Sequence, residues 1–139
     1  MYEKILIAND GSEGGTRALA YAIKLAHRLK AHLHMICVEE LPRLPTTIDE
    51  VVEDKLDENH RFEPVIAQAQ FQARSGHVKI ETHVVAGHAV PTIIDFVERG
   101  RFDLLVVGYM GHSALYNRLI GSTTDRLVEL APCHVLVIK

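Results

Sequence analysis

Residues 104–111 read LLVVGYMG, and Gly121-Ser122 follow after nine further residues. The apolar run that opens this stretch is typical of a buried strand, and a helical pattern begins near Ser122. Glycines let the backbone approach a ligand closely, and the first turn of a helix carries N–H groups without intrahelical partners. Because a helix N-terminus also attracts negative charge, this order of strand, glycine loop and helix start favours a phosphate-binding loop over plain turn glycines.

Apolar runs alternate with helical patterns along the rest of the chain. Helical spacing of apolar residues is found at 19–29, 89–97 and 127–130. The segments predicted as strands are Ile5–Ala8, His32–Val38, Val78–Val85, Phe102–Val107 and Val135–Ile138. This alternation predicts an α/β fold in a single domain, residues 1–139, with a five-stranded parallel sheet, helices on both faces and a Rossmann-like architecture.

Local signals place several boundaries of these elements. Ser12 is expected to cap the first helix, and Gly100 is expected to end the helix that precedes the fourth strand. Residues 39–75 are less regular, because a proline-containing loop precedes a helix that Thr47 is expected to cap. Pro64 is expected to break or kink that helix, since proline lacks an N–H group and its ring clashes with the preceding turn.

The loops after the first and fourth strands lie at the same edge of a parallel sheet. If those two strands are neighbours, the loops form one crevice at the edge where such sheets bind ligands. In the first loop, Asp10 is a candidate to accept hydrogen bonds from a ribose or a base, or to lie near a phosphate-bound Mg²⁺. Its alternative role is turn formation beside the capping Ser12.

The second loop and the helix after it supply the other candidates. Hydroxyl groups at Ser122, Thr123 and Thr124 suit phosphate oxygens, and N-capping is their alternative role. Arg118 is the nearest cation and a candidate to fold over a triphosphate, although a solvated loop arginine is the favoured interpretation. His112, beside the glycine loop, is the histidine best placed to approach a ligand.

Composition and charge exclude several functional classes. Of the 139 residues, 47% are hydrophobic and 24% charged, and the net charge of −3 gives no basic field for nucleic acid. The N-terminus lacks the regions of a signal peptide, and its apolar run is too short to span a bilayer. Cys37 and Cys133 form no paired motif, so we expect reduced thiols, a cytoplasmic location and no membrane or nucleic-acid partner.

The nine histidines do not form a recognisable metal motif. His32 and His34 would share a face of the second strand, but no third ligand lies at a suitable spacing, so no protein metal site is predicted. The acidic residues between 49 and 58 are interpreted as a solvated helix face rather than a docking or metal site.

Sequence motifs of catalysis are equally lacking. The chain has no G-x-x-x-x-G-K-[ST], no G-x-G-x-x-G after the first strand and no G-x-S-x-G. No spacing brings together a nucleophile, a base and oxyanion donors. The sequence therefore predicts binding without turnover, and no catalytic residue is named.

Three motifs resemble those of the universal stress proteins, in order and over the whole chain. They are Asp10-Gly11-Ser12, Gly108-x₂-Gly111-x₉-Gly121-Ser122 and Cys133-His134-Val135-Leu136-Val137. The glycine motif is similar to that of the ATP-binding branch of the family. The resemblance implies a five-stranded parallel α/β fold and a homodimer paired through the last strand, Val135–Ile138. Asn9 and His134 depart from the commoner residues of the family, and neither lies in the glycine motif.

The resemblance also implies a set of ATP contacts. Ala8 and Asp10 would lie near the adenosine, with the backbone of Val38 facing the adenine. Gly108 and Gly111 would lie beside the ribose and phosphates, and Gly121, Ser122, Thr123 and Thr124 would bind phosphate through N–H and hydroxyl groups.

We therefore expect an ATP-binding universal stress protein, with or without Mg²⁺, that acts as a nucleotide-responsive stress or regulatory accessory for an unidentified protein partner. One alternative is a dimeric interaction module of the same fold with no functional nucleotide. Another, less favoured, is an adenylating or slow ATP-hydrolysing enzyme. The adenylating alternative rests on residues 10–15, which resemble in composition the Ser-Gly-Gly-x-Asp-Ser loop of ATP pyrophosphatases but have a different order.

Overall fold

The structure is a computed structural model that describes residues 1–41, 48–110 and 120–139, with side chains of the second helix described from residue 60. The elements are β1 (Lys4–Ala8), α1 (Glu13–Leu29), β2 (His32–Glu40), α2 (Ile48–Ser75), β3 (Ile80–Gly87), α3 (Ala89–Gly100), β4 (Leu104–Gly108), α4 (Ser122–Leu130) and β5 (His134–Ile138). Every strand predicted from the sequence is present, with boundaries shifted by up to two residues.

The five strands form one parallel sheet in the order β3-β2-β1-β4-β5. Ile5 of β1 pairs with Leu33 on one side and with Leu104 on the other. The predicted α/β fold is confirmed, and so is the adjacency of the first and fourth strands. Since the winding direction changes between β1 and β4, their carboxyl ends open onto the position where such sheets bind ligands.

Side chains of the central strands alternate between the two faces of the sheet and are covered on both. One core combines Ile5 and Ile7 of β1 with residues of α1 and α2, and the other combines Leu6 with residues of α3 and α4. Helices therefore pack on both faces, as the sequence predicts. Within the described residues, no helix is long and apolar enough to cross a bilayer.

Both predicted ends of helices are confirmed. Ser12 caps α1, because its Oγ accepts a hydrogen bond from the backbone N–H of Gly15 at 3.1 Å. The helix α3 ends at Gly100, and the left-handed residue that follows it is Arg101, with φ of 54°. A Cβ atom on Gly100 would collide with the ring of Phe102, so this glycine also makes room for packing.

The helix α2 continues through Pro64, so a break is wrong, while the apolar face continues after the proline as predicted. Phe62, Ala69 and Ala73 are buried in the same core on either side of the proline. Their burial on one helical face offsets the hydrogen bond that the proline removes, since tertiary packing outweighs local preference. Thr47, its expected cap, and the side chains of the acidic residues 49–58 lie outside the described residues.

Candidate functional site

A cleft of about 350 Å³ opens at the carboxyl ends of β1 and β4. The predicted site residues that line it are Ala8, Asp10, Val38, Gly108, Gly121, Thr123 and Thr124. Ser122 is exposed and is not part of the lining. Gly111, His112 and Arg118 lie outside the described residues. The structure thus brings together predicted residues from four separate segments of the chain.

One wall of the cleft is apolar. Side chains of Ile36 and Val38 from β2, Ile93 from α3 and Val107 from β4 contribute to it. A surface of this kind binds an aromatic or aliphatic group by excluding water, but by itself it does not fix the orientation of the ligand. Orientation must come from the polar groups at the rim.

The turn between β1 and α1 is built by its own side chains. Asn9 is buried, and its Oδ1 accepts a hydrogen bond from the N–H of Gly11 at 2.9 Å. Oδ1 of Asp10 accepts hydrogen bonds from both the N–H and the Oγ of Ser12. Gly11 has φ of 81°, which glycine adopts readily. Asp10 therefore has the turn-forming role and also lines the cleft, so its two expected roles are compatible.

Two glycine backbones meet at the rear of the cleft, where the start of α1 crosses the end of β4. A Cβ on Gly108 would lie 2.7 Å from the backbone of Gly14, and a Cβ on Gly14 would collide with the carbonyl oxygen of Met110. Gly108 thus has a packing role in addition to its place in the lining. Gly14, which is not part of the lining, packs behind Gly108, and sequence reasoning did not identify this role.

The start of α4 offers unfilled hydrogen-bond donors to the cleft. Its N-cap is Gly121, which has no side chain to satisfy them, and the first backbone bond into the helix runs from Asp125 N–H to the carbonyl of Gly121 at 2.9 Å. The N–H groups of residues 122–124 precede that bond. Thr124 donates its hydroxyl proton to the carbonyl of Gly108 at 2.6 Å, which ties α4 to β4. The arrangement suits an anion held by backbone N–H groups and the helix dipole.

Two charged residues of the lining were not found from the sequence. Arg61 of α2 donates from Nη2 to the carbonyl oxygen of Asp10 at 3.1 Å, and its guanidinium lies 5.1 Å from the ring centre of Phe62. Glu40 accepts a hydrogen bond from Ala89 N–H at 3.1 Å and so satisfies the start of α3. Neither residue belongs to a local motif, because each reaches the cleft only through the packing of its element.

The thiol nearest this region is not reactive. Cys37 is fully buried, and burial, with a smaller contribution from the Asp10 carboxylate, raises the pKa of its thiol to about 12. Burial also raises the pKa of Cys133. Both cysteines are free, which confirms the expectation of unpaired thiols. At neutral pH the Cys37 thiol stays protonated, and a protonated thiol is a poor nucleophile.

Comparison with known proteins gives one consistent result. The model of the universal stress protein family matches residues 1–139. Universal stress protein MJ0531 of Methanocaldococcus jannaschii is 31% identical, over 100% of this chain and 83% of that protein. The structure of UspA from Lactobacillus plantarum aligns with a TM-score of 0.91 at 28% identity, over 99% of this chain and 98% of that one.

A further solved structure, of a universal stress protein in complex with cAMP, shares the fold. It aligns with a TM-score of 0.78 at 23% identity, over 99% of this chain and 97% of that one. The same family assignment is supported by the parallel sheet, by the cleft at its switch point and by the family match over the whole length. This chain belongs to the universal stress protein family.

Proposed function

We propose that the protein binds ATP, as its Mg²⁺ complex, in the cleft between β1 and β4. The observation that carries this proposal is the start of α4, where backbone N–H groups without a side-chain cap adjoin an apolar wall. A ligand with a flat apolar part and an anionic part matches both features. A relative of the same fold is known in complex with cAMP, which also combines adenine with phosphate.

The proposed pose follows the chemistry of the lining. The adenine lies against the apolar wall near Ala8 and Val38, with Asp10 at the ribose or near the metal ion. The phosphates lie at the start of α4, at Gly121, Thr123 and Thr124, with the guanidinium of Arg61 on the same rim. By family resemblance, Gly108, Gly111 and Ser122 complete this set, and His112 is added because it directly follows Gly111.

The proposed role is that of a nucleotide-responsive accessory in stress or regulation, located in the cytoplasm and acting through an unidentified protein partner. ATP would stabilise one state of the protein, and the shift between two states is limited by the difference in their ATP affinity. The free thiols support a reducing compartment. We propose no rapid turnover, because the described lining contains no histidine base and the nearby thiol is protonated.

Isothermal titration of the nucleotide-free protein with Mg-ATP tests this proposal. We expect saturable heat for one site per chain. Gly121→Val should weaken binding by about tenfold or more, equivalent to about 1.4 kcal/mol, because its side chain would occupy the anion position. Gly121 has φ of −62° and ψ of 145°, a conformation that valine adopts without strain, so this variant should fold.

Glu129→Gln is the matched control, since Glu129 is exposed at the far end of the same helix. Its Mg-ATP affinity should equal that of the unmodified protein. Absence of heat with the unmodified protein, or an unchanged affinity in a folded Gly121→Val variant, would reject the nucleotide proposal. The same fold would then be better described as an interaction module.

We propose in addition that two copies pair through β5. This strand lies at an edge of the sheet, and Leu136 on it is exposed, as are Val128 and Leu130 on the neighbouring α4. Leu136→Lys should convert a dimer into a monomer in sedimentation velocity, because a charge at an edge strand opposes pairing. Phe71→Lys, which replaces an exposed phenylalanine on α2, should leave the dimer intact. A monomeric unmodified protein at micromolar concentration would contradict this part.

A further inference from the structure

A second cluster of ligand-type side chains lies on β2 and β3, outside the cleft lining. Nδ1 of His34 is 3.0 Å from Nε2 of His83 and 3.3 Å from Oε2 of Glu81. One candidate ligand atom from each of the three residues can be chosen so that all lie within 4.8 Å of one another. Three side chains that bind metals therefore converge on one point.

The separations match those around a bound ion. Two ligand atoms on a tetrahedral Zn²⁺, each about 2.0–2.1 Å from the metal, lie about 3.3 Å apart. The distances of 3.0 Å and 3.3 Å from His34 Nδ1 are close to that value. The two rings face each other through these nitrogens, so each ring must tilt to aim its lone pair at the ion. The Glu81 carboxylate, on a side chain that is 71% exposed, can rotate to join them.

One hydrogen bond at His34 Nδ1 cannot join all three side chains. Nδ1 of His34 faces both a ring nitrogen and a carboxylate oxygen, yet one imidazole nitrogen places at most one proton in its ring plane. The His34 and His83 rings are nearly parallel, at an angle of 5° with centres 5.3 Å apart. Once the two rings tilt out of this in-line arrangement, a cation between the three ligand atoms would accept a lone pair from each side chain.

Strand pairing and aromatic contacts bring the two imidazoles together before any ion arrives. His34 and Glu81 are register partners on adjacent strands, and the His34 side chain is 14% exposed. The edge of its ring meets Phe102 at 5.0 Å, and the His83 ring lies 4.8 Å from that of Phe96. A site on two paired strands with aromatic support loses little conformational entropy when it binds.

The positive charge of Lys4 opposes a cation at this point. The Lys4 ammonium donates to the carbonyl of Gly100 at 2.6 Å and lies over the ring of Phe102 at 4.7 Å. It is therefore already engaged by an oxygen and an aromatic face. The negative charge of Glu81 compensates part of the remaining field.

We propose that His34, Glu81 and His83 form a binding site for a divalent transition-metal ion of the Zn²⁺ class, with water in the open coordination position. Two imidazoles and one carboxylate suit zinc, copper(II) or nickel(II), whereas Mg²⁺ and Ca²⁺ prefer oxygen ligands. The expectation from the sequence was no metal site, because His32 was considered as the partner of His34. The partner is His83, on a strand far along the chain.

Titration with ZnCl₂ against a chromophoric chelator, on metal-free protein without nucleotide, tests the site. We expect one tight equivalent per chain, and a loss of about tenfold or more in affinity for His83→Gln and for Glu81→Gln. Co²⁺ should give the intense visible bands of a low-symmetry site, and both variants should lose them. Because Glu81 is largely exposed, Glu81→Gln retains the fold even if a histidine variant does not.

The control is His27→Gln, which alters an exposed histidine on α1 whose ring is 6.4 Å from that of His77. It should leave the tight equivalent of Zn²⁺ unchanged. If His83→Gln and Glu81→Gln bind Zn²⁺ as the unmodified protein does, or if His27→Gln weakens binding equally, the proposed site is wrong. In that case the two imidazoles form a hydrogen-bonded pair, and Zn²⁺ binds only to scattered surface histidines.

Discussion

A Phe62→Ala variant is expected to lose about 3–5 kcal/mol of unfolding free energy. Phe62 is 1% exposed and belongs to the larger of the two cores. It also forms part of the cleft wall, and the guanidinium of Arg61 lies over its ring, 5.1 Å from the ring centre. Truncation removes the buried ring, leaves a cavity beside the cleft and ends that cation–π contact. Alanine's better helix propensity returns less than about 1 kcal/mol, so the sign is not in doubt.

Urea unfolding followed by circular dichroism measures this loss as a lower midpoint at an unchanged slope. Phe71→Ala is the matched control, because it makes the same substitution in the same helix at a side chain that is 64% exposed. It should change the unfolding free energy by no more than about 0.5 kcal/mol. Equal losses in the two variants would contradict the assignment of Phe62 to the core.

Gly14→Ala is expected to destabilise the protein by about 1–3 kcal/mol, against the usual effect of that substitution in a helix. Alanine in place of glycine normally stabilises a helix by about 1 kcal/mol. Here the added Cβ would collide with the carbonyl oxygen of Met110. The obstacle is backbone, which moves only if α1 or the segment after β4 moves with it. Since both border the cleft, Mg-ATP affinity should fall in the same variant.

Gly76→Ala is the control for Gly14→Ala, because its added Cβ meets a side chain instead of backbone. A Cβ on Gly76 would lie 2.7 Å from Cγ2 of Ile23, the end of a side chain that can change rotamer. We therefore expect a smaller loss of unfolding free energy at Gly76 than at Gly14. If thermal and urea unfolding show Gly14→Ala to be as stable as the unmodified protein, the close approach of α1 and β4 is wrong.

The fold could be predicted from the sequence because its signals are local. The apolar runs around Ile7 and Val106 and the helical spacing in α1 and α3 each arise within a dozen residues. The adjacency of β1 and β4 follows from a general rule of winding rather than from any residue. Pro64 is the exception, since the burial of Phe62 and Ala69 on either side of it is a tertiary fact that no local pattern contains.

The cleft was predictable only where its residues belong to motifs. Asp10, Gly108 and Gly121 stand next to strand ends and glycine patterns, so their convergence followed from the fold. Arg61 lies in the middle of a long helix, and the contact of Gly14 with the segment after β4 depends on the distance between two backbones. The cluster around His34 was not predicted either, because its partners Glu81 and His83 come from β3, which the sequence does not place beside β2.

The central position of β1 has a consequence for how the chain is made. Its two neighbours are synthesised at very different times, since Ile5 pairs with Leu33 in the first third of the chain and with Leu104 in the last. Before β4 emerges from the ribosome, the strands β3, β2 and β1 leave residues 5–7 as an unpaired apolar edge. An unpaired edge of this kind can pair with other chains and aggregate. The cleft and the cover of this edge are thus both completed late in synthesis, and a product truncated before Leu104 would have neither.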